Sequence, residues 1–74
     1  MHKEERKMEI KITTEYIKLD QLLKFAGAAV TGSDAKEMVI TGKASVNGEV
    51  CTMRGKKLRP GDTVTVGDTE YTII

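Results

Sequence analysis

Apolar and polar residues recur with two different periods along this chain. Residues 8–13 alternate, with every second side chain apolar, which is typical of a strand that buries one face. Residues 19–26 carry three leucines and an alanine at helical spacing, so they predict a helix with one apolar side. Gly27 follows at once and can take the left-handed conformation that ends a helix. The first third of the chain therefore predicts a strand and a short helix.

A second helix is predicted between Gly32 and Gly42. Ser33 or Asp34 can cap its N-terminus, and Gly42 can end it. Three apolar side chains share one face of this helix: Ala35, Met38 and Val39. The starting residue stays open between the two candidates. Only Asp34 has a glutamate, Glu37, at the third position after it.

A hairpin is predicted around the dipeptide formed by Asn47 and Gly48. Both residues tolerate the positive φ angles of a type I′ turn. Residues 43–46 and 49–52 on either side should then pair as antiparallel strands, with Ala44 and Val46 on one face.

Alternation returns after a second turn at Pro60 and Gly61. Residues 63–66 and 70–74 each place apolar side chains at every second position, so both can face one core. The pattern as a whole predicts an α+β fold, with two short helices followed by an antiparallel sheet that the N-terminal strand joins.

Length and composition favour one small intracellular domain. The chain has 74 residues, of which 1–7 are expected to form a disordered charged leader and 8–74 a single domain. A single cysteine, Cys51, cannot form an internal disulfide, which fits a reducing compartment. No apolar run is long enough to cross a bilayer, and the N-terminus lacks the apolar segment of a signal peptide. We therefore expect a soluble, cytoplasmic protein.

Positive charge is concentrated in one part of the chain. Residues 36–59 contain six basic and two acidic residues, a net charge of +4, whereas the whole chain carries only +1. A local positive field on a nearly neutral body attracts phosphate groups. The alternative interpretation of the same segment is a charged surface that is merely solvated and binds nothing.

Several short motifs follow one another in a characteristic order along the chain. A basic residue precedes Leu-Asp-x-x-Leu at 18–23, a small polar helix start holds Ala35 and Lys36, Gly-x-x-x-Val-Asn-Gly spans 42–48, and Pro-Gly-Asp spans 60–62. Together they resemble the alpha-L RNA-binding domain, named after the fourth protein of the small ribosomal subunit. The runs TGSDAK and RGKKLRPGD are more similar to its small free-standing bacterial members than to versions appended to enzymes.

The resemblance implies two helices packed on a small bent antiparallel sheet of about four to five strands. RNA would lie along a groove formed by the second helix and the loops around the hairpin. By analogy, eight residues are expected to bind RNA: Lys18, Lys36, Lys43, Asn47, Arg54, Lys56, Lys57 and Arg59. The implied partner is structured RNA, such as ribosomal RNA or a ribosome-assembly intermediate, with no cofactor, metal, small-molecule substrate or membrane.

Two positions depart from the family pattern. Gly32 stands where many members carry arginine, and Met53 stands where the free-standing relatives often have a basic residue. Both departures predict a weaker basic surface.

The aromatic residues bear on the kind of RNA. Single-stranded RNA is usually read by stacking bases on aromatic side chains. Tyr16, Phe25 and Tyr71 all lie outside the basic segment. Lysines and arginines without interleaved aromatics favour backbone contacts to folded or double-stranded RNA.

An enzyme is not indicated. The sequence shows no metal-ligand cluster, no phosphate-binding glycine loop and no nucleophile with a partnered base, since the only histidine, His2, lies in the leader. A second hypothesis is a protein adaptor that binds no RNA, with Ile40 and Met53 as docking residues.

Overall fold

The computed structural model describes residues 6–74. Seven strands and two helices lie within these residues: β1 Arg6–Ile10, β2 Ile17–Lys18, α1 Leu19–Phe25, α2 Gly32–Ile40, β3 Ala44–Val46, β4 Glu49–Val50, β5 Lys57–Leu58, β6 Thr63–Val66 and β7 Thr69–Ile73. Five strands form one sheet in the order β1-β7-β6-β3-β4, and β2 pairs with β5 in a separate two-stranded sheet. The predicted α+β class is confirmed.

The direction of β1 corrects the prediction of a wholly antiparallel sheet. β1 runs parallel to β7, while the other pairs of the larger sheet are antiparallel. Parallel pairing sets Ile10 beside Ile73 in the core, and the Ile74 N–H donates to the Ile10 carbonyl at 2.9 Å. β1 begins at Arg6, two residues before the predicted start, and residues 1–5 of the predicted leader lie outside the described residues.

One apolar cluster joins the helices to the sheet. Its buried members are Ile10, Leu19, Leu22, Leu23, Ala29, Ala35, Val39, Ala44, Val46, Leu58, Val64, Tyr71 and Ile73. The helical spacing and the strand alternation seen in the sequence supply most of them. Each fully buried leucine contributes about 1.5 to 3 kcal/mol relative to an exposed one. Within residues 6–74, neither helix is long and apolar enough to cross a bilayer.

The helix ends agree with the sequence except at the start of α2. Gly27 has a φ angle of 80°, the left-handed conformation predicted for it, and Gly42, predicted to end the second helix, has a φ angle of 76°. α2 is capped by Thr31, whose Oγ1 accepts a hydrogen bond from the Asp34 N–H at 3.1 Å. The predicted cap at Ser33 or Asp34 was wrong, because Thr31 holds the extended backbone and leaves both residues inside the first turn.

Candidate nucleic-acid interface

The two-stranded sheet places two lysines side by side on the surface. β2 and β5 pair antiparallel, with Ile17 opposite Leu58 and Lys18 opposite Lys57. Alternation along each strand turns Leu58 into the core and leaves both lysines exposed. Side chains directly opposite each other have Cβ atoms about 4.5 to 5.5 Å apart, and like charges in that arrangement repel. We therefore expect this pair to lower the stability of the isolated protein.

The loop before β5 is fixed to the start of α1 through its backbone. The Leu19 N–H donates to the Lys56 carbonyl at 2.9 Å, and the Asp20 N–H donates to the Arg54 carbonyl at 3.1 Å. These bonds satisfy N–H groups of the first helical turn, where no side-chain cap is present. The loop carbonyls are used, and the loop side chains stay exposed.

We refer to Lys18, Arg54, Lys56 and Lys57 as the basic cluster. The pairing of β2 with β5 and the two loop bonds bring these four residues to the start of α1. The sequence placed Lys18 in a separate motif, far from the basic segment. The structure brings Lys18 next to Lys57 of that segment.

An aromatic ring supports one member of the basic cluster. The Nζ of Lys57 lies over the ring of Tyr16, 4.8 Å from its centroid. A cation–π contact of this kind is worth about 0.5 to 1 kcal/mol at an exposed site. The Thr14 Oγ1 donates to the Tyr16 carbonyl at 2.8 Å and holds the turn that presents the ring. In the sequence the aromatic residues lie outside the basic segment, and the missed signal was Tyr16, which directly precedes β2.

Arg59 follows β5 and begins a tight turn. The Asp62 N–H donates to the Arg59 carbonyl at 2.9 Å, and Gly61 has a φ of 101°, as a type II turn with proline at its second position requires. In return, the Asp62 Oδ2 accepts from the Arg59 N–H at 2.8 Å. The predicted turn at Pro60 and Gly61 is confirmed.

Asp62 adds negative charge beside the basic residues. The hydrogen bond from the Arg59 N–H is the largest cause that lowers the pKa of Asp62, and partial burial opposes it. The hydrogen bond from the Asn47 amide and the charges of Lys56 and Arg59 also lower the pKa of Asp62, by smaller amounts. Asp62 is therefore ionised at neutral pH and offsets part of the local positive potential.

The side chain of Asn47 is engaged within the protein. Asn47 and Gly48 have φ angles of 51° and 86°, which confirms the predicted type I′ hairpin turn. The Asn47 Oδ1 accepts from the Thr63 N–H at 3.0 Å, and its Nδ2 donates to the Asp62 Oδ1 at 3.2 Å. Asn47 thus ties the hairpin to the turn before β6. Its contact with RNA stays a prediction.

Lys36 and Lys43 lie on α2 and just before β3. Lys36 is exposed on α2, and at about 100° per residue it lies on the flank opposite Asp34. Lys43 shares a concavity of about 300 Å³ with Asp34 and Glu37. Two carboxylates therefore line the same groove as Lys43, which weakens its attraction for phosphate. Of the eight predicted residues, the structure assembles four around the start of α1 and sets Arg59 and Asn47 on neighbouring turns.

The side chains described in residues 6–74 show no group of three or more histidine, cysteine or acidic side chains able to hold a metal ion. The clustered chemistry of this surface is cationic, with amide and aromatic groups beside it. Such a surface can bind the oxygen atoms of a polyanion.

A protein-family model described as the S4 domain matches residues 10–74, which covers both helices, the basic cluster and all but one strand in the described chain. No curated protein matches the chain.

Proposed function

The chain belongs to the S4 domain family, which confirms the resemblance found in its sequence, and on that premise we propose that it is a non-catalytic protein that binds the backbone of structured RNA. Domains of this family are in general RNA-binding modules without catalytic activity. The finer target we propose is ribosomal RNA or a ribosome-assembly intermediate in the bacterial cytoplasm. Its support is the likeness to small free-standing members of the family.

The observation that carries the proposal is the cross-strand pair of Lys18 and Lys57. Two opposed lysines repel each other in the free protein. A phosphate bound between them removes that repulsion and gains two charge-assisted contacts. Lys56 and Arg54 stand beside this pair on a fixed loop, so neighbouring phosphates of one strand can be bound together.

Recognition by this surface depends on backbone shape. Lysine and arginine contacts to phosphate fix register and orientation but carry no base information. Double-stranded RNA is recognised mainly in this way, through the spacing of phosphates and 2′-hydroxyls across the minor groove. A fixed group of cations therefore selects folded RNA by phosphate spacing.

The experiment is crosslinking in cells followed by sequencing of the attached RNA. The wild-type protein is expected to enrich ribosomal RNA, and a variant with Lys56→Glu and Lys57→Glu is expected to lose that enrichment. Lys7→Glu with Lys24→Glu makes the same charge change outside the basic cluster and should retain most of it. Equal recovery from all three proteins would contradict the proposal.

One observation favours the adaptor alternative. Val50 and Met53 are 65% and 66% exposed and line a concavity of about 390 Å³ that also includes Lys56. An apolar partner segment could dock there. Met53→Ser should abolish partner recovery if this surface binds a protein, and should leave RNA recovery unchanged under our proposal.

A further inference from the structure

A further groove, distinct from those lined by Lys43 and by Met53, lies next to the basic cluster, on the side of the turn before α1. It encloses about 700 Å³ and is lined by Thr14, Glu15, Tyr16, Ile17, Lys18, Gln21 and Phe25. Phe25 is the last residue of α1 and is 67% exposed, whereas Tyr16 is half-buried. The groove therefore combines two aromatic rings with a lysine of the basic cluster.

The exposed ring of Phe25 is the feature that needs a role. Single exposed apolar residues are common on protein surfaces and need no explanation. Phe25, however, shares its groove with Tyr16, and one face of Tyr16 is already occupied by the Lys57 Nζ at 4.8 Å. An incoming planar group can stack on Phe25, with Tyr16 as a neighbouring wall.

The polar lining matches a nucleotide rather than an apolar peptide. Lys18 supplies a cation for a phosphate at one side of the groove. The Gln21 amide offers both a donor and an acceptor, as the hydrogen-bonding edge of a base requires. Glu15 repels phosphate but accepts hydrogen bonds from base amino groups. The part of the groove lined by Glu15 therefore favours a base over a phosphate.

We propose that this groove holds one unpaired nucleobase of the bound RNA, stacked on Phe25, while Lys18 binds the phosphate next to it. The inference rests on the proposed RNA-binding function and extends it. The substrate class becomes structured RNA with an unpaired nucleotide beside the helix. Every base has a π-face, so stacking alone selects an unpaired base without selecting its identity.

The experiment compares three RNAs that share one stem: fully paired, with a single-nucleotide bulge, and with an abasic residue in that bulge. The abasic RNA keeps the phosphate and the bulge but lacks the base. The wild-type protein is expected to bind the base-containing bulge about 5- to 150-fold more tightly than the abasic one, in the range of base–aromatic stacking. Phe25→Ala should abolish that preference and leave binding to the paired stem unchanged.

Two further variants keep the test sharp. Phe25→Trp retains a stacking face, so it should keep the preference. The chain has no native tryptophan, so quenching of the introduced one by the bulged RNA reports stacking directly. Val30→Ala is the control, because Val30 is 85% exposed and lines a different groove. Thermal melting by circular dichroism checks that each variant is folded.

The outcomes separate this inference from the proposed function. Equal affinity for base-containing and abasic bulges, with no effect of Phe25→Ala, would overturn the inference. The proposed function would stand if the paired stem still bound and Lys56→Glu with Lys57→Glu abolished that binding. Failure of the wild-type protein to bind any of the three RNAs at low salt would overturn both.

Discussion

Replacing Lys18 by glutamine should weaken RNA binding while leaving the protein as stable as before or more stable. Lys18 lies opposite Lys57 across β2 and β5, and both side chains are exposed. Glutamine keeps a long polar side chain and removes only the charge. The two effects have opposite signs because the repulsion acts in the free protein, whereas the attraction acts in the complex.

The expected gain in stability comes from the cross-strand pair, and removing a cation from the N-cap of α1 acts in the same direction. Cross-strand pairs change stability by about 0.2 to 1 kcal/mol, and like charges lie on the unfavourable side. Lys18→Gln should therefore raise the free energy of unfolding by an amount within that range. Lys57→Gln relieves the same repulsion but also loses the contact with Tyr16, worth about 0.5 to 1 kcal/mol, so its net change should be near zero or negative.

The expected loss in affinity follows from counterion release. Each neutralised phosphate of a duplex contributes about 0.9 to the slope of log affinity against log salt. Losing one contact should therefore make the slope shallower by about 0.9, and weaken binding about eightfold at 0.1 M salt and about threefold at 0.3 M. Lys24→Gln removes the same charge elsewhere on α1 and should leave the slope unchanged.

The assay combines urea unfolding with RNA titrations at several salt concentrations. We expect both a shallower salt slope and an unchanged or higher free energy of unfolding. A Lys18→Gln protein with unchanged affinity and an unchanged slope would show that Lys18 binds no phosphate. A marked loss of stability would show instead that Lys18 has a structural role, and that the cross-strand repulsion is negligible.

Three further predictions concern other positions. Thr31→Ala removes the cap that accepts the Asp34 N–H, so urea unfolding should show a loss of about 1 kcal/mol. The folded-state pKa of Asp62 is lowered, so its contribution to stability is present above the ordinary value of 3.8 and disappears as pH falls through the lower folded pKa. Asp62→Asn should remove that part of the pH dependence in acid unfolding curves. A Cβ at Gly32 meets no atom within 4 Å, so the Gly32→Arg protein should fold. The added charge should steepen the salt slope of RNA binding by about 0.9. An unchanged slope would show that this position faces away from RNA.

Local features of the fold could be predicted because their causes are local. The leucines of α1 reveal its buried face through their spacing, and Gly27 fixes its end. Asn47 and Gly48 favour a two-residue hairpin turn because both tolerate positive φ angles. The start of α2 was harder, because Thr31, Ser33 and Asp34 are all good caps within four positions and the choice depends on which of them has extended backbone.

The pairings between distant segments could not be predicted. β2 and β5 have two residues each, too few to reveal a strand in the sequence, and their pairing joins segments separated by both helices and the β3–β4 hairpin. The parallel direction of β1 depends on its docking beside β7 and leaves no trace in its own residues.

The same distinction between local features and long-range pairings applies to the candidate site. The charge of the basic segment was visible in composition, but the proximity of Lys18 and Tyr16 to Lys57 depends on the pairing of β2 with β5. Lys43 was chosen for its place in a motif. Its neighbours Asp34 and Glu37 lie on α2, and only the fold brings the three together around one groove.

The basic cluster also shows how a small domain can carry repelling charges at low cost. The loop before β5 is held by the carbonyls of Arg54 and Lys56, which accept from the first N–H groups of α1. Those bonds involve no side chain, so the loop keeps its path when its side chains change. The fold therefore depends on the backbone of this loop, whereas under our proposal RNA binding depends on its side chains. The variant with Lys56→Glu and Lys57→Glu should therefore melt within a few degrees of the wild-type protein but no longer bind RNA. A variant that unfolds instead would show that these side chains also support the fold.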